Sequence, residues 1–179
     1  MKMEQILISE GAYNSNELHP IMYENSKIIN FLLSKNIDLD KIHPDALAAY
    51  YVDYYFSQVN MAGFSKFLHS SQWSTDMNDR IAYGLKAMKS FKHLEFFINK
   101  RKEINQLPSD KLEIFLDNHY MLDNPLRVEI DEDKTFYSID DEIVELNGQW
   151  LKEHKDTVAR SMDDIFLILE EVLGEPIVR

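Results

Sequence analysis

The sequence predicts an all-α fold. Apolar residues recur at i, i+3, i+4 and i+7 over most of the chain. Residues that start and stop helices stand at the ends of those stretches. Only residues 126–136 read as extended or loop. The expected architecture is a single compact helical domain over 1–179, of about seven helices with one short edge strand. Its core covers 45–155, flanked by an N-terminal helical extension over 1–44 and a C-terminal helix over 156–174.

The elements follow in order. Ile28, Ile29, Phe31, Leu32 and Leu33 make residues 25–34 a short, largely buried helix. Pro44 is pre-set for the first position of the next one, where its missing N–H costs nothing. That helix carries Leu47, Tyr50, Tyr51, Tyr54, Tyr55 and Phe56, more aromatics than one buried face holds, so some belong at a boundary, an interface or a groove. Gly63 breaks it, and Phe64, Phe67 and Leu68 restart the apolar stripe. Ile81, Leu85, Met88 and Phe91 continue helically over residues 76–102, with a break near 91–94. Pro108 and Ser109 open a helix with Leu112, Phe115, Leu116 and His119 on its apolar face, ended by Asn124-Pro125.

Val128 and Ile130 alternate with Glu129 and Asp131, the pattern of an edge strand. Ser138 with Asp141 forms a capping-box pattern ahead of Ile139, Ile143, Leu146 and Trp150. The last helix carries Met162, Ile165, Phe166, Leu169, Val172 and Leu173 and stops at Gly174, with Pro176 behind it.

Composition removes several function classes. No cysteine is present, which excludes disulfide frameworks, thiolate zinc sites and cysteine nucleophiles. Ile6-Leu7-Ile8 is too short for a secretory signal, and no apolar run reaches the roughly 18–20 residues that span a bilayer, so a cytoplasmic location is expected. Asp and Glu outnumber Lys and Arg by 31 to 19, a net charge of −12 that repels phosphate backbones and anionic membranes.

That charge is unevenly placed. Residues 1–109 hold 12 acids and 12 bases; residues 110–179 hold 19 acids and 7 bases. Glu129, Asp131, Glu132, Asp133, Asp140, Asp141, Glu142 and Glu145 face only Lys134 in their window, and Asp110, Glu113 and Asp117 recur at helical spacing. The basic stretch Lys86, Lys89, Lys92, Lys100, Arg101 and Lys102 stands opposite in sign. Acidic helix faces are most often solvated surface, and first-turn acids such as Asp110 also complement the helix dipole.

The aromatic helix Tyr50-Tyr51-Val52-Asp53-Tyr54-Tyr55-Phe56 leads into Val59-Asn60-Met61-Ala62-Gly63-Phe64-Ser65-Lys66-Phe67-Leu68. This resembles the signature of a small bacterial family of unknown function that includes a DNA-mimic protein, in which an aromatic helix ends in an Asn-Gly-Gly-Phe turn. Thr135-Phe136-Tyr137-Ser138-Ile139-Asp140-Asp141-Glu142 and Trp150-Leu151-Lys152-Glu153-His154 are similar to the family's acidic helix near the C-terminus. Met61 and Ala62 depart from the pattern, standing where the family tends to have Asn and the first Gly. The resemblance covers roughly 45–155 and implies an all-helical, often dimeric protein. In the characterised branch, an acidic surface imitates the DNA backbone and occupies a DNA-binding protein. On the residues alone, Gly63 supplies a left-handed conformation and Phe64 a core anchor, which makes the motif a fold marker rather than an active site.

Catalytic motifs are absent. His19, His43, His69, His93, His119 and His154 show no i, i+3 or i+4 pairing, and no Gly-rich phosphate loop or nucleophile elbow occurs. Asp131, Asp133, Thr135 and Glu142 match four positions of a calcium loop, but Phe136 replaces the glycine its turn requires. The expectation is therefore a non-enzymatic binder without metal or cofactor. Its acids Asp110, Glu113, Asp117, Glu129, Asp131, Glu132, Asp133, Asp140, Asp141, Glu142 and Glu145 would engage a basic protein, with nucleic acid and membrane excluded as direct partners and a homodimer admitted. An immunity-type or antitoxin-like inhibitor is the alternative, and a small enzyme or ligand-binding module the third reading.

Overall fold

The computed structural model describes residues 1–122 and 124–178. In chain order these form β1 (Ile6–Ser9), α1 (Glu10–Tyr13), α2 (His19–Ser34), a 3-10 turn (Leu39–Lys41), α3 (Pro44–Ala62), α4 (Phe64–Ser70), α5 (Thr75–Ala87), α6 (Phe91–Asn105), α7 (Ser109–Asp117), α8 (Pro125–Asp131), a second 3-10 turn (Thr135–Ser138), α9 (Ile143–Glu153), β2 (Thr157–Arg160) and α10 (Met162–Leu173). The chain is about 68% helical, as its periodicity predicts. Ten helices are formed among the described residues where seven are expected: α1 and α8 run only 4 and 7 residues, too short for a periodic pattern to register, and the stretch over 76–102 divides into α5 and α6 at residues 88–90, ahead of the expected 91–94. No described helix is long and apolar enough to cross a membrane.

Two compact units are formed, Met1–Asp53 with Ile143–Arg179, and Tyr54–Glu142. In the first, β1 pairs in parallel with β2, Ile6 opposite Thr157 and Ser9 opposite Arg160. β1 is buried along its whole length, which is why it reads as an uninterrupted apolar run. Two buried asparagines tie helices to α3: Asn25 of α2 donates to the Ala46 carbonyl at 3.0 Å, and Asn147 of α9 to the Ala49 carbonyl at 3.0 Å. α10 ends on Gly174, whose φ of 77° gives the left-handed cap.

The second unit is built on aromatic rings. Tyr55, fully buried, has Phe97 at 5.1 Å, Phe67 at 5.3 Å, Phe136 at 6.0 Å and Phe64 at 6.5 Å between centroids, all edge to face. That geometry sets each ring's positive edge against a neighbour's negative face. Tyr54 and Phe56 remain half-buried, as their number on one helix requires.

Three local expectations are corrected. Residues 128–130 are helical, not a strand. Leu126 and Ile130, four apart, are the buried pair of α8, while Val128 is exposed. The strands lie instead at β1 and β2. The Ser138–Asp141 capping box does not form: the Ser138 hydroxyl donates to the Thr135 carbonyl, and α9 starts at Ile143. His119 lies beyond the end of α7 and is exposed rather than on its apolar face.

Candidate functional site

The eleven acids separate by what they touch. Asp131, at the end of α8, is a structural clasp. Its carboxylate accepts the Ser65 N–H at 2.9 Å and the Ser65 hydroxyl at 2.5 Å, at the start of α4. The residue before α4's first turn is Gly63, at φ 91° and ψ 173°. A Cβ there would lie 2.5–2.9 Å from the Asp131 carboxylate atoms. Gly63 is thus required twice, for its backbone angle and for the carboxylate it admits. The Tyr120 hydroxyl completes the clasp, 3.0 Å from the Ser65 hydroxyl and donating to the Ala62 carbonyl at 3.2 Å. Phe64 is buried behind it. The motif holds the fold together, as its residues predict.

Four further acids are also engaged within the second unit. Asp141 accepts the Lys92 backbone N–H at 2.9 Å and the Ser90 hydroxyl at 3.2 Å, so it caps the first turn of α6 from 49 residues away. Asp140 pairs with the Lys92 ammonium, which holds its carboxyl below the usual range. Burial pushes Asp133 up. The Thr135 side chain and N–H together with Lys100 outweigh this and hold it low. The Lys100 ammonium is 3% exposed and lies 3.3 Å from Asp133, 3.0 Å from Glu103 and 3.3 Å from the Ile130 carbonyl it donates to. Glu129 of α8 pairs with Lys111 of α7 at 2.7 Å. Much of the basic stretch is consumed here too, since Arg101 pairs with Asp79 at 2.6 Å.

Asp110, Glu113, Asp117, Glu132, Glu142 and Glu145 are exposed and have no partner among the described residues. The first five belong to the second unit, Glu145 to the first. Asp110, Glu113 and Asp117 form a row along α7. Asp117 stands at the helix C-terminus, where no base offsets it and the dipole disfavours an anion.

Two features escape sequence reading. Met61 and Met121, over 70% exposed, lie with Lys66, His69, His119 and Tyr120 around a depression of about 500 Å³. In the first unit, His43 and His154 come together although 111 positions separate them. His154 Nε2 lies 2.7 Å from Asp45 Oδ2, and His43 Nε2 lies 3.4 Å from Asp156 Oδ2, with the two rings 5.5 Å apart edge to face. Each Nδ1 accepts a backbone N–H at 3.2 Å, from Asp45 at His43 and from Asp156 at His154. Both rings therefore carry their proton on Nε2. Burial pushes the His43 pKa down, against Asp156 and Asp45, which pull it up. No spacing rule could signal this cluster, because the fold alone creates it.

Comparison with known proteins places these geometries in a family. A family model described as DMP19-like protein matches residues 40–154, a span holding the Gly63 clasp and all eleven acids, with β1, α1, α2, β2 and α10 outside it. No curated protein and no solved structure matches the chain. The match spans more than half of the chain, which belongs to the DMP19-like family.

Proposed function

We propose that this member of the DMP19-like family acts by binding rather than catalysis: its unpartnered acids stand in for nucleic-acid phosphates and occupy a basic DNA-binding protein. The observation that carries the reading is the row Asp110, Glu113, Asp117 on α7, unneutralised among the described residues and kept where the helix dipole opposes its last member. At about 1.5 Å rise per residue, these carboxylates follow one another by about 4.5 and 6 Å along the axis. One DNA strand presents a phosphate per roughly 3.4 Å of axis. The row thus supplies about two-thirds of one strand's linear charge, and Glu132 and Glu142 of the same unit add to it. The internally paired Asp131, Asp133, Asp140, Asp141 and Glu129 hold the scaffold and take a secondary part.

The test uses the immobilised full chain in a native lysate at low salt, followed by elution with a duplex DNA fragment. Proteins retained by the chain and released by the duplex are expected. Asp110→Lys, Glu113→Lys and Asp117→Lys together should abolish their retention. Retention that survives the triple reversal, or that duplex DNA does not disturb, overturns the reading.

A further inference from the structure

We propose that His43, His154 and Asp156 form a binding site for a borderline divalent transition metal such as zinc, with Asp45 orienting His154 from outside. One donor atom of each of the three residues lies within 4.8 Å of the other two. Asp156 Oδ2 is 3.4 Å from His43 Nε2 and 3.9 Å from His154 Nδ1. Tetrahedral zinc with bonds of about 2.0–2.1 Å places its ligand atoms about 3.3 Å apart. The carboxylate is therefore already close to the separation a metal would impose on both rings. Rotation of the imidazoles over about an ångström completes the set.

The chemistry of the donors fits. His154 presents Nδ1 to the site while its Nε2–H donates to Asp45 at 2.7 Å, the carboxylate–histidine–metal arrangement that fixes a ligand's tautomer and raises its basicity. His43 enters through Nε2 with its ring proton moved to Nδ1, so no net proton is lost from the neutral ring. The two 3.2 Å backbone contacts at the Nδ1 atoms are given up in exchange for metal–ligand bonds. The His43 side chain is 8% exposed and that of His154 12%, whereas Asp156 is 37% exposed and gives the ion its entry path. Three protein ligands leave a fourth position to water. A bound ion would staple the start of α3 to the connection between α9 and β2, all within the first unit.

Isothermal titration of the chelator-treated full chain with zinc chloride tests the site. One equivalent is expected to bind with a dissociation constant of about 10 μM or tighter, and to raise the melting temperature as zinc concentration rises. Asp156→Asn keeps an acceptor for His43 but loses the anionic ligand, and should weaken binding at least tenfold. His69→Ala with His119→Ala, both in the other unit, should change nothing. Long-range proton–nitrogen spectra of the unaltered chain give a readout that needs no variant: zinc should shift the ring nitrogens of His43 and His154 and leave those of His69 and His119 in place. Absence of binding at 100 μM zinc, binding indifferent to Asp156→Asn, or shifts confined to His69 and His119 would overturn the proposal.

Discussion

Replacing Gly63 with alanine tests the clasp at its tightest point. Two costs add. The backbone at φ 91°, ψ 173° is a region reserved for glycine, and holding alanine there costs about 1–3 kcal/mol. The new Cβ would also stand 2.5–2.9 Å from the Asp131 carboxylate, which must withdraw from Ser65. Losing one charge-assisted hydrogen bond adds about 1.5–3 kcal/mol, for a total of about 4 kcal/mol. Gly174 is the control: it too has positive φ, at 77°, but nothing lies within 4 Å of its added Cβ. Gly174→Ala should cost only about 1 kcal/mol. The assay is urea unfolding read by one tryptophan per unit: in a Trp150→Phe background Trp73 reports on the second unit, which holds Gly63, and in a Trp73→Phe background Trp150 reports on the first, which holds Gly174. In an Asp131→Ala chain the steric part disappears, so Gly63→Ala should there cost about 2 kcal/mol less. Equal costs at Gly63 and Gly174, or no coupling between Gly63 and Asp131, would refute the reasoning.

Other outcomes follow from the same packing. Tyr55→Phe should stabilise the second unit by about 1 kcal/mol in the same urea assay, because the buried Tyr55 hydroxyl has no partner among the described residues. Asp141→Ala should cost about 1–2 kcal/mol as a lost helix cap, whereas Glu142→Gln should stay within about 0.5 kcal/mol; equal effects would undo the division of the acids into engaged and free. His93 is buried between Phe56 and Phe136, and burial lowers its pKa against the opposing pull of Asp141. The folded state thus prefers the neutral ring. The stability this contributes is complete above about pH 6.5 and is lost as pH falls below it toward the depressed folded value. Urea midpoints should fall between pH 7 and pH 5, and His93→Phe should flatten that slope.

What the sequence reveals divides along the distance over which each signal acts. Pro44, Gly63 with Phe64, and Gly174 are legible because the backbone property they supply is used where they stand. The alternation at Val128–Asp131 misleads because four residues fit a strand and a helix turn equally. The deciding fact, that Leu126 and Ile130 are buried together, is tertiary. Asp131 and Asp141 read as members of a surface run, yet their partners lie 66 and 49 residues away. No local pattern distinguishes such an acid from Glu132 or Glu142. The His43–His154 meeting is of the same kind, as is β1, whose Ile6-Leu7-Ile8 finds its partner only at β2.

That last pairing bears on how the protein is made. The first unit is discontinuous, and Ile6 must wait for Thr157 to leave the ribosome before its ladder can close. At about 5–20 residues per second, the apolar strand spends on the order of 10–30 s without its partner. The second unit, one uninterrupted stretch from Tyr54 to Glu142, is complete 15 residues, or about 1–3 s, before then. Synthesis therefore imposes an order, the aromatic unit condensing while its host stands open, and any slowing of translation beyond Glu142 lengthens the time for which a bare β edge is offered to other chains.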